Sequence, residues 1–306
     1  MENSNSRRID HTCDYIVQNI YKTNPNFIIK ETNRKSKICI IFFSGNGLYF
    51  PNEEAEFFDK IIKNNRYEWQ NISNDKVFEK KAGKIILVRD VHKQWYVEGI
   101  SEEYNSVDKT VQLLKSLTDG YEIVTVGNSA GGYAAVLFGC LLNAEKVFTI
   151  SGQFFFTNKE VFETEKLLIK HRTEEKYSQY YDLRNIVKNF KGVIFYIFPC
   201  KSEQDILQYK HIEDLSNIIK IRINSDVHGT GLLPENYKFV IFKNTEKLIK
   251  KMVSDKEFSQ SELFRRTISW YTVFYLRAKY EIVKRIKWFL KKIRLFYIIK
   301  KLLRKA

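Results

Sequence analysis

Residues 121–139 read YEIVTVGNSAGGYAAVLFG, and the fold follows from how this stretch must be laid out. The run 122–126 is β-branched and apolar, as a buried strand is. It stops at Gly127-Asn128-Ser129-Ala130-Gly131, after which Ala and Gly dominate a helix-compatible segment, 130–142. A G-x-S-x-G pentapeptide with a strand before it and a helix after it is the sharp turn that lifts a serine above a sheet edge. The reason is steric: strand and helix meet so closely that the flanking positions must be small. The turn also places Ser129 at a helix N-terminus, where free N–H groups such as that of Ala130 are suited to hold an oxyanion. A glycine-rich turn of ordinary packing value is the competing reading, and the flanking elements argue against it.

Serine is a weak nucleophile and needs a base, which in turn needs an orienting acid. Five histidines are available. His11 and His92 precede the turn, His171 falls in a charged segment, and His211 falls within a helix expected over 204–218. His228 follows the last expected strand, in NSDVHGTG, with Gly229 and Gly231 beside it. The order serine, acid, histidine is the one this turn usually carries, which selects His228. For the acid, PCKSEQD after strand 193–198 offers Asp205; Asp226, Glu203 and Asp214 are alternatives. A second oxyanion donor is expected from FFSGNGLYF after strand 38–43, through Gly45 and Asn46, with a simple turn as the equal alternative.

Further strands are expected at 84–88, 146–150 and 219–223. Most are apolar on both faces, as in a covered parallel sheet. Helical spacing recurs over 105–118 and 243–253, so strand and helix alternate in a mostly parallel α/β sheet flanked by helices. Residues 1–36 read as an N-terminal extension and 37–254 as the catalytic domain, with 151–190 as a cap-like, aromatic and charged insertion. Residues 255–306 read as a basic amphipathic helical tail.

In these residues the chain resembles the α/β-hydrolase superfamily over roughly 37–250. Within it, VRDVHKQWYVEGI, GNSAGGYAAVLFG and DVHG resemble a branch linked to bacterial surface polysaccharides, which includes capsule O-acetyltransferases. The resemblance carries the family triad onto Ser129, Asp205 and His228. It implies acyl transfer through a seryl intermediate, to a glycan hydroxyl or to water, with acetyl-CoA as donor if the enzyme is a transferase. SGNG stands where the superfamily often has an HGGG oxyanion loop. Trp95 and Tyr96 are candidate walls of a sugar pocket; the alternative is that they and the Arg89–Asp90 pair hold a loop down. An esterase or deacetylase with the same machinery, and a non-catalytic scaffold in glycan or protein export, are the competing functions.

Composition fits this reading. At 44% hydrophobic residues the chain can bury a sizeable core. Its net charge of +15 is uneven: residues 261–306 hold 14 Lys and Arg against Glu262 and Glu281, a net of +12, which leaves +3 for the other 260 residues. Tyr275, Ala278, Ile282, Ile286, Phe289, Ile293 and Phe296 recur at spacings of three and four, with lysines opposite. That is the pattern of a helix lying in an anionic membrane interface; packing on the body is the alternative, and nucleic acid is not expected. Cys13, Cys39, Cys140 and Cys200 are widely spaced, which favours reduced thiols over disulfides or metal ligands. No metal is expected. The amino terminus lacks a signal-peptide core, so the expected location is cytoplasmic, peripheral on the inner face of the membrane.

Overall fold

The computed structural model describes residues 7–156, 175–253, 256–268 and 274. Seven strands form one sheet: β1 (Phe27–Glu31), β2 (Ile38–Phe43), β3 (Lys84–Val88), β4 (Glu122–Asn128), β5 (Lys146–Ile150), β6 (Val193–Pro199) and β7 (Ile218–Ile223). Their spatial order is β1-β3-β2-β4-β5-β6-β7. All neighbours are parallel except β1, which runs antiparallel to β3. The fold is therefore α/β-hydrolase-like, with helices on both faces of a mostly parallel sheet.

Burial on both sides explains the continuous apolar runs. Cys39, Ile41, Phe43, Ile86 and Val88 face one core, together with the helix Ala130–Leu141 and with Leu114 of the helix Val107–Thr118. Ile40, Phe42, Ile85, Leu87, Val124 and Val126 face the other, which Tyr237, Leu248 and Leu263 close. Successive residues thus point to opposite layers, the period of two that a strand imposes. Ala130–Leu141 is buried almost all round, which a helix tolerates only when it is apolar on every side.

The chain departs from the sequence reading in four places. Residues 7–36 are not an extension: β1 pairs with β3 along its whole length, and Val17 and Tyr21 of the helix Tyr15–Thr23 pack against Leu48, Tyr49, Phe57 and Ile61. The helix expected over 204–218 is Glu203–His211, and Ile218 already opens β7. The described flanks of the 151–190 insertion are core, not cover. Tyr133 of the elbow helix packs on Phe156, with ring centroids 4.6 Å apart, and its hydroxyl donates to the Tyr180 carbonyl. Residues 256–268 likewise belong to the body, because Leu263 and Thr267 of the helix Gln260–Thr267 are fully buried. His171 and the basic stripe over 275–303 lie outside the described residues. Among the described residues, no helix is long and apolar enough to cross a membrane.

His11 ties the amino-terminal segment down. The Tyr49 hydroxyl donates to the Val91 carbonyl at 2.6 Å, so its oxygen accepts from His11 Nδ1–H, also at 2.6 Å. Burial, followed by the nearby Lys93 charge, pushes the His11 pKa down to about 3. The folded state therefore refuses a proton that the unfolded chain takes below pH 6.5. This contribution to stability is present above pH 6.5 and is lost as the pH falls toward 3. Between pH 7 and pH 5 the wild type should lose about 2 kcal/mol more than His11→Gln, at roughly 1.4 kcal/mol per pH unit. Urea titrations of both proteins at the two pH values measure this, and equal losses would refute it.

Candidate active site

The carboxyl ends of the strands converge on Ser129. It has φ 53° and ψ −120°, a conformation that costs a non-glycine residue on the order of 1–3 kcal/mol. Close packing enforces it. A Cβ on Gly127 would sit 1.9 Å from the Gly131 carbonyl oxygen, and one on Gly131 would sit 2.3 Å from that of Phe43. The Ser129 N–H donates to the Ile150 carbonyl at 2.8 Å, which anchors the turn to β5.

His228 Nε2 lies 2.9 Å from Ser129 Oγ, and His228 Nδ1 lies 2.9 Å from Asp205 Oδ2. A carboxylate oxygen accepts, so Nδ1 carries the proton, and the Nε2 lone pair faces the serine hydroxyl. The structure thus brings together Ser129, Asp205 and His228 from the ends of β4, β6 and β7. Asp205 is 1% exposed, whereas the rivals Asp226, Glu203 and Asp214 are exposed. Asp214 pairs with Arg184 instead. The other described histidines have other partners: His11 bonds Tyr49, His92 bonds Glu98, and His211 bonds Asp182.

Two serines that the sequence reading passed over support this line. Ser202 Oγ donates to Asp205 Oδ2 at 2.6 Å. Ser151 Oγ accepts from the Gly229 N–H at 3.0 Å, which steadies the histidine loop. Gly229 itself is left-handed, at φ 82°, directly after His228. Asp205 Oδ1 is buried and has no hydrogen-bond partner.

On the oxyanion side, Ala130 is the first residue of its helix, so its N–H has no acceptor within that helix. Gly45 does not supply the expected second donor. Its N–H is taken by the Glu68 carboxylate, and burial raises the pKa of that acid. Gly45 is small because a Cβ there would lie 2.7 Å from the Asn128 carbonyl oxygen. Asn46 stays at the site: it lines the same cavity as Ser129, and its Nδ2 is buried without a hydrogen-bond partner.

Trp95 and Tyr96 do not wall a sugar pocket. They are 2% and 1% exposed, and neither lines that cavity. The Trp95 indole donates to Gln153, and the Tyr96 hydroxyl donates to the Ser44 carbonyl. The alternative of a tethered loop holds, though without an Arg89–Asp90 pair. Arg89 binds the Asn26 side chain and the Arg66 carbonyl. Asp90 accepts the backbone N–H groups of His92, Gln94 and Tyr96.

The cavity measures about 220 Å³, and Ser129, His228, Asn46, Asn52, Lys93 and Asn128 are among the residues that line it. Asn128 Oδ1 is a second buried amide atom without a partner. No local sequence signal marks Lys93 as a lining residue. Asn128 lay inside the motif, and nothing in its composition marked it as lining.

Fold and site together define an α/β-hydrolase-like protein with a serine–histidine–aspartate arrangement at the carboxyl edge of its sheet. No protein-family model and no curated protein matches the chain. Among solved structures it is similar to a protein of unknown function from Staphylococcus aureus, at 12% identity, over 74% of this chain and 94% of that one, with a TM-score of 0.47. It is similar to the capsule O-acetyltransferase of Neisseria meningitidis serogroup A at 16% identity, over 68% and 91%, with a TM-score of 0.47. A lipase-esterase related protein from Clostridium acetobutylicum aligns at 15% identity over 74% and 100%, with a TM-score of 0.40. At these identities the likeness is one of fold.

Proposed function

We propose that the chain is a serine acyltransferase that moves an acetyl group, through a seryl ester at Ser129, onto a hydroxyl of a bacterial capsule or surface polysaccharide. The observation that carries the serine chemistry is the pair of 2.9 Å contacts joining Ser129, His228 and Asp205. The glycan acceptor rests on the resemblance of residues 88–100, 127–139 and 226–229 to the polysaccharide-linked branch.

In the first half-reaction, Ser129 Oγ adds to the acyl carbonyl carbon as His228 Nε2 takes its proton. Asp205 steadies the imidazolium and fixes its orientation. The Ala130 N–H and the Asn46 side-chain amide face the carbonyl oxygen as it becomes an oxyanion. The intermediate collapses, the bond to the leaving group breaks, and His228 returns the proton to that group, the thiolate of CoA when acetyl-CoA is the donor. In the second half-reaction, the acceptor hydroxyl gives its proton to His228 and attacks the seryl ester. Ser129 leaves and takes the proton back.

Hydrolysis differs only in that water replaces the sugar hydroxyl. The partition is measured by following CoA release from acetyl-CoA with and without added polysaccharide. Release that depends on the glycan is the expected result; ester hydrolysis with no use of acetyl-CoA makes the protein an esterase. The +12 charge of 261–306 supports a working position at an anionic membrane surface.

A further inference from the structure

The loop that leaves β3 is costly to build and delivers one charged side chain to the cavity. Lys93, Trp95 and Tyr96 have φ values of 52°, 53° and 65°, in the left-handed region that non-glycine residues avoid. Asp90 holds the turn by accepting from His92 N at 2.9 Å, Gln94 N at 2.7 Å and Tyr96 N at 3.0 Å. The Trp95 and Tyr96 rings are driven into the core, and of these three residues Lys93 is the one that lines the cavity. Lys93 is 1% exposed. Its Nζ donates to Asn52 Oδ1 and sits 3.7 Å from the centre of the Tyr49 ring.

An ammonium held at the wall of a small cavity acts on a bound anion through a medium less polarisable than water, so its pull is strong at short range. The buried amides of Asn46 and Asn128, each with an unpartnered atom, add hydrogen-bonding capacity suited to a polar ligand.

We infer that Lys93 is the anion-recognition residue of this site, and that the substrate seated beside Ser129 carries a carboxylate or phosphate group. The inference rests on the serine-acyltransferase reading above and narrows its substrate class. The anion has two possible sources, an acidic sugar in the acceptor or the phosphates of the CoA donor, and both offer Lys93 the same chemistry. The competing role for Lys93 is a purely structural strut between Asn52 and Tyr49.

The test is protection of Ser129 from a neutral fluorophosphonate in the full-length wild type, K93M and K93R. Four probes are compared: methyl glucuronide with methyl glucoside, and CoA with uncharged pantetheine. Calorimetric titration with the same probes reads binding without any need for a reactive serine. In the wild type, at least one charged probe should bind tenfold or more tightly than its neutral partner. That ratio should collapse by tenfold or more in K93M and be largely restored in K93R, with all three proteins giving the same circular dichroism spectrum. A glucuronide effect places the anion on the acceptor; a CoA effect places it on the donor. Equal binding of charged and neutral probes in the wild type, or an unchanged ratio in K93M, overturns the inference. If K93M is misfolded, the wild-type ratios and K93R decide. Failure of the wild type to label at Ser129 counts against the serine reading, and calorimetry still decides on Lys93.

Discussion

Replacing Ser129 by alanine is expected to lower acetyl-transfer turnover by about 10⁴- to 10⁶-fold, with the protein still folded. The loss is so large because no other described nucleophile reaches His228 Nε2. Asp205→Asn should cost about 10⁴-fold by a different route. An amide can donate to Nδ1, which would turn the His228 proton toward Ser129 and leave the serine facing an N–H in place of a lone pair. Steady-state rates of the three proteins at equal concentration check both statements. Stability separates the roles further. Ser129→Gly removes the nucleophile and also relieves the strained backbone at φ 53°, so it should unfold at about 1 kcal/mol higher free energy than Ser129→Ala. A Ser129→Ala enzyme with more than a tenth of wild-type turnover would remove the mechanism.

The second large effect falls on stability. Gly127→Ala should destabilise the fold by about 3 kcal/mol or more, because the added methyl meets the Gly131 carbonyl at 1.9 Å and both partners are backbone. No side chain can rotate away to relieve it. The clash lies in the turn, so the same change should displace Ser129 and depress turnover even in molecules that fold. Gly47→Ala is the control for stability: nothing lies within 4 Å of its added methyl, and the change should stay within about 1 kcal/mol. Chemical denaturation of the three proteins measures the difference. Equal stability of Gly127→Ala and wild type would show that the elbow is looser than its packing implies.

What was legible in the sequence follows from which residues carry a local signal. The six mutually parallel strands, β2 to β7, carry β-branched and apolar runs that face two cores, and the elbow carries its own steric grammar; both are visible in the sequence. β1 is not. At the antiparallel edge FIIKE is only half-buried and sits among Asn, Lys and Thr, so it lacks the continuous apolar character of the inner strands. The helical spacing over 204–218 outruns the helix because Ile212, Leu215 and Ile218 continue the apolar pattern after the chain has turned at His211. Asp205 and His228 were reachable through order along the chain and strand ends. Gly45 was not, since nothing local says that Glu68 takes its N–H.

Trp95, Tyr96 and Lys93 show the limit most clearly. Sequence places all three on one loop at the sheet edge, and aromatic residues there suggest a sugar wall. The structure inverts that reading: three backbone N–H groups bound to Asp90 turn the rings inward and bring the lysine to the cavity. Lys93 is one of 51 Lys and Arg, and no periodicity distinguishes a buried lysine from the many solvated ones. Its position depends on backbone dihedrals that composition does not encode.

The central claim is that Ser129 carries the acyl group. The most direct measurement is peptide mass spectrometry of wild-type protein quenched during turnover of acetyl-CoA or a simple acetyl ester. The expected result is one acetyl group on the peptide containing Ser129, chased off by added acceptor and absent from Ser129→Ala. Turnover with no acetyl on that peptide, or with the acetyl on another residue, would contradict the account.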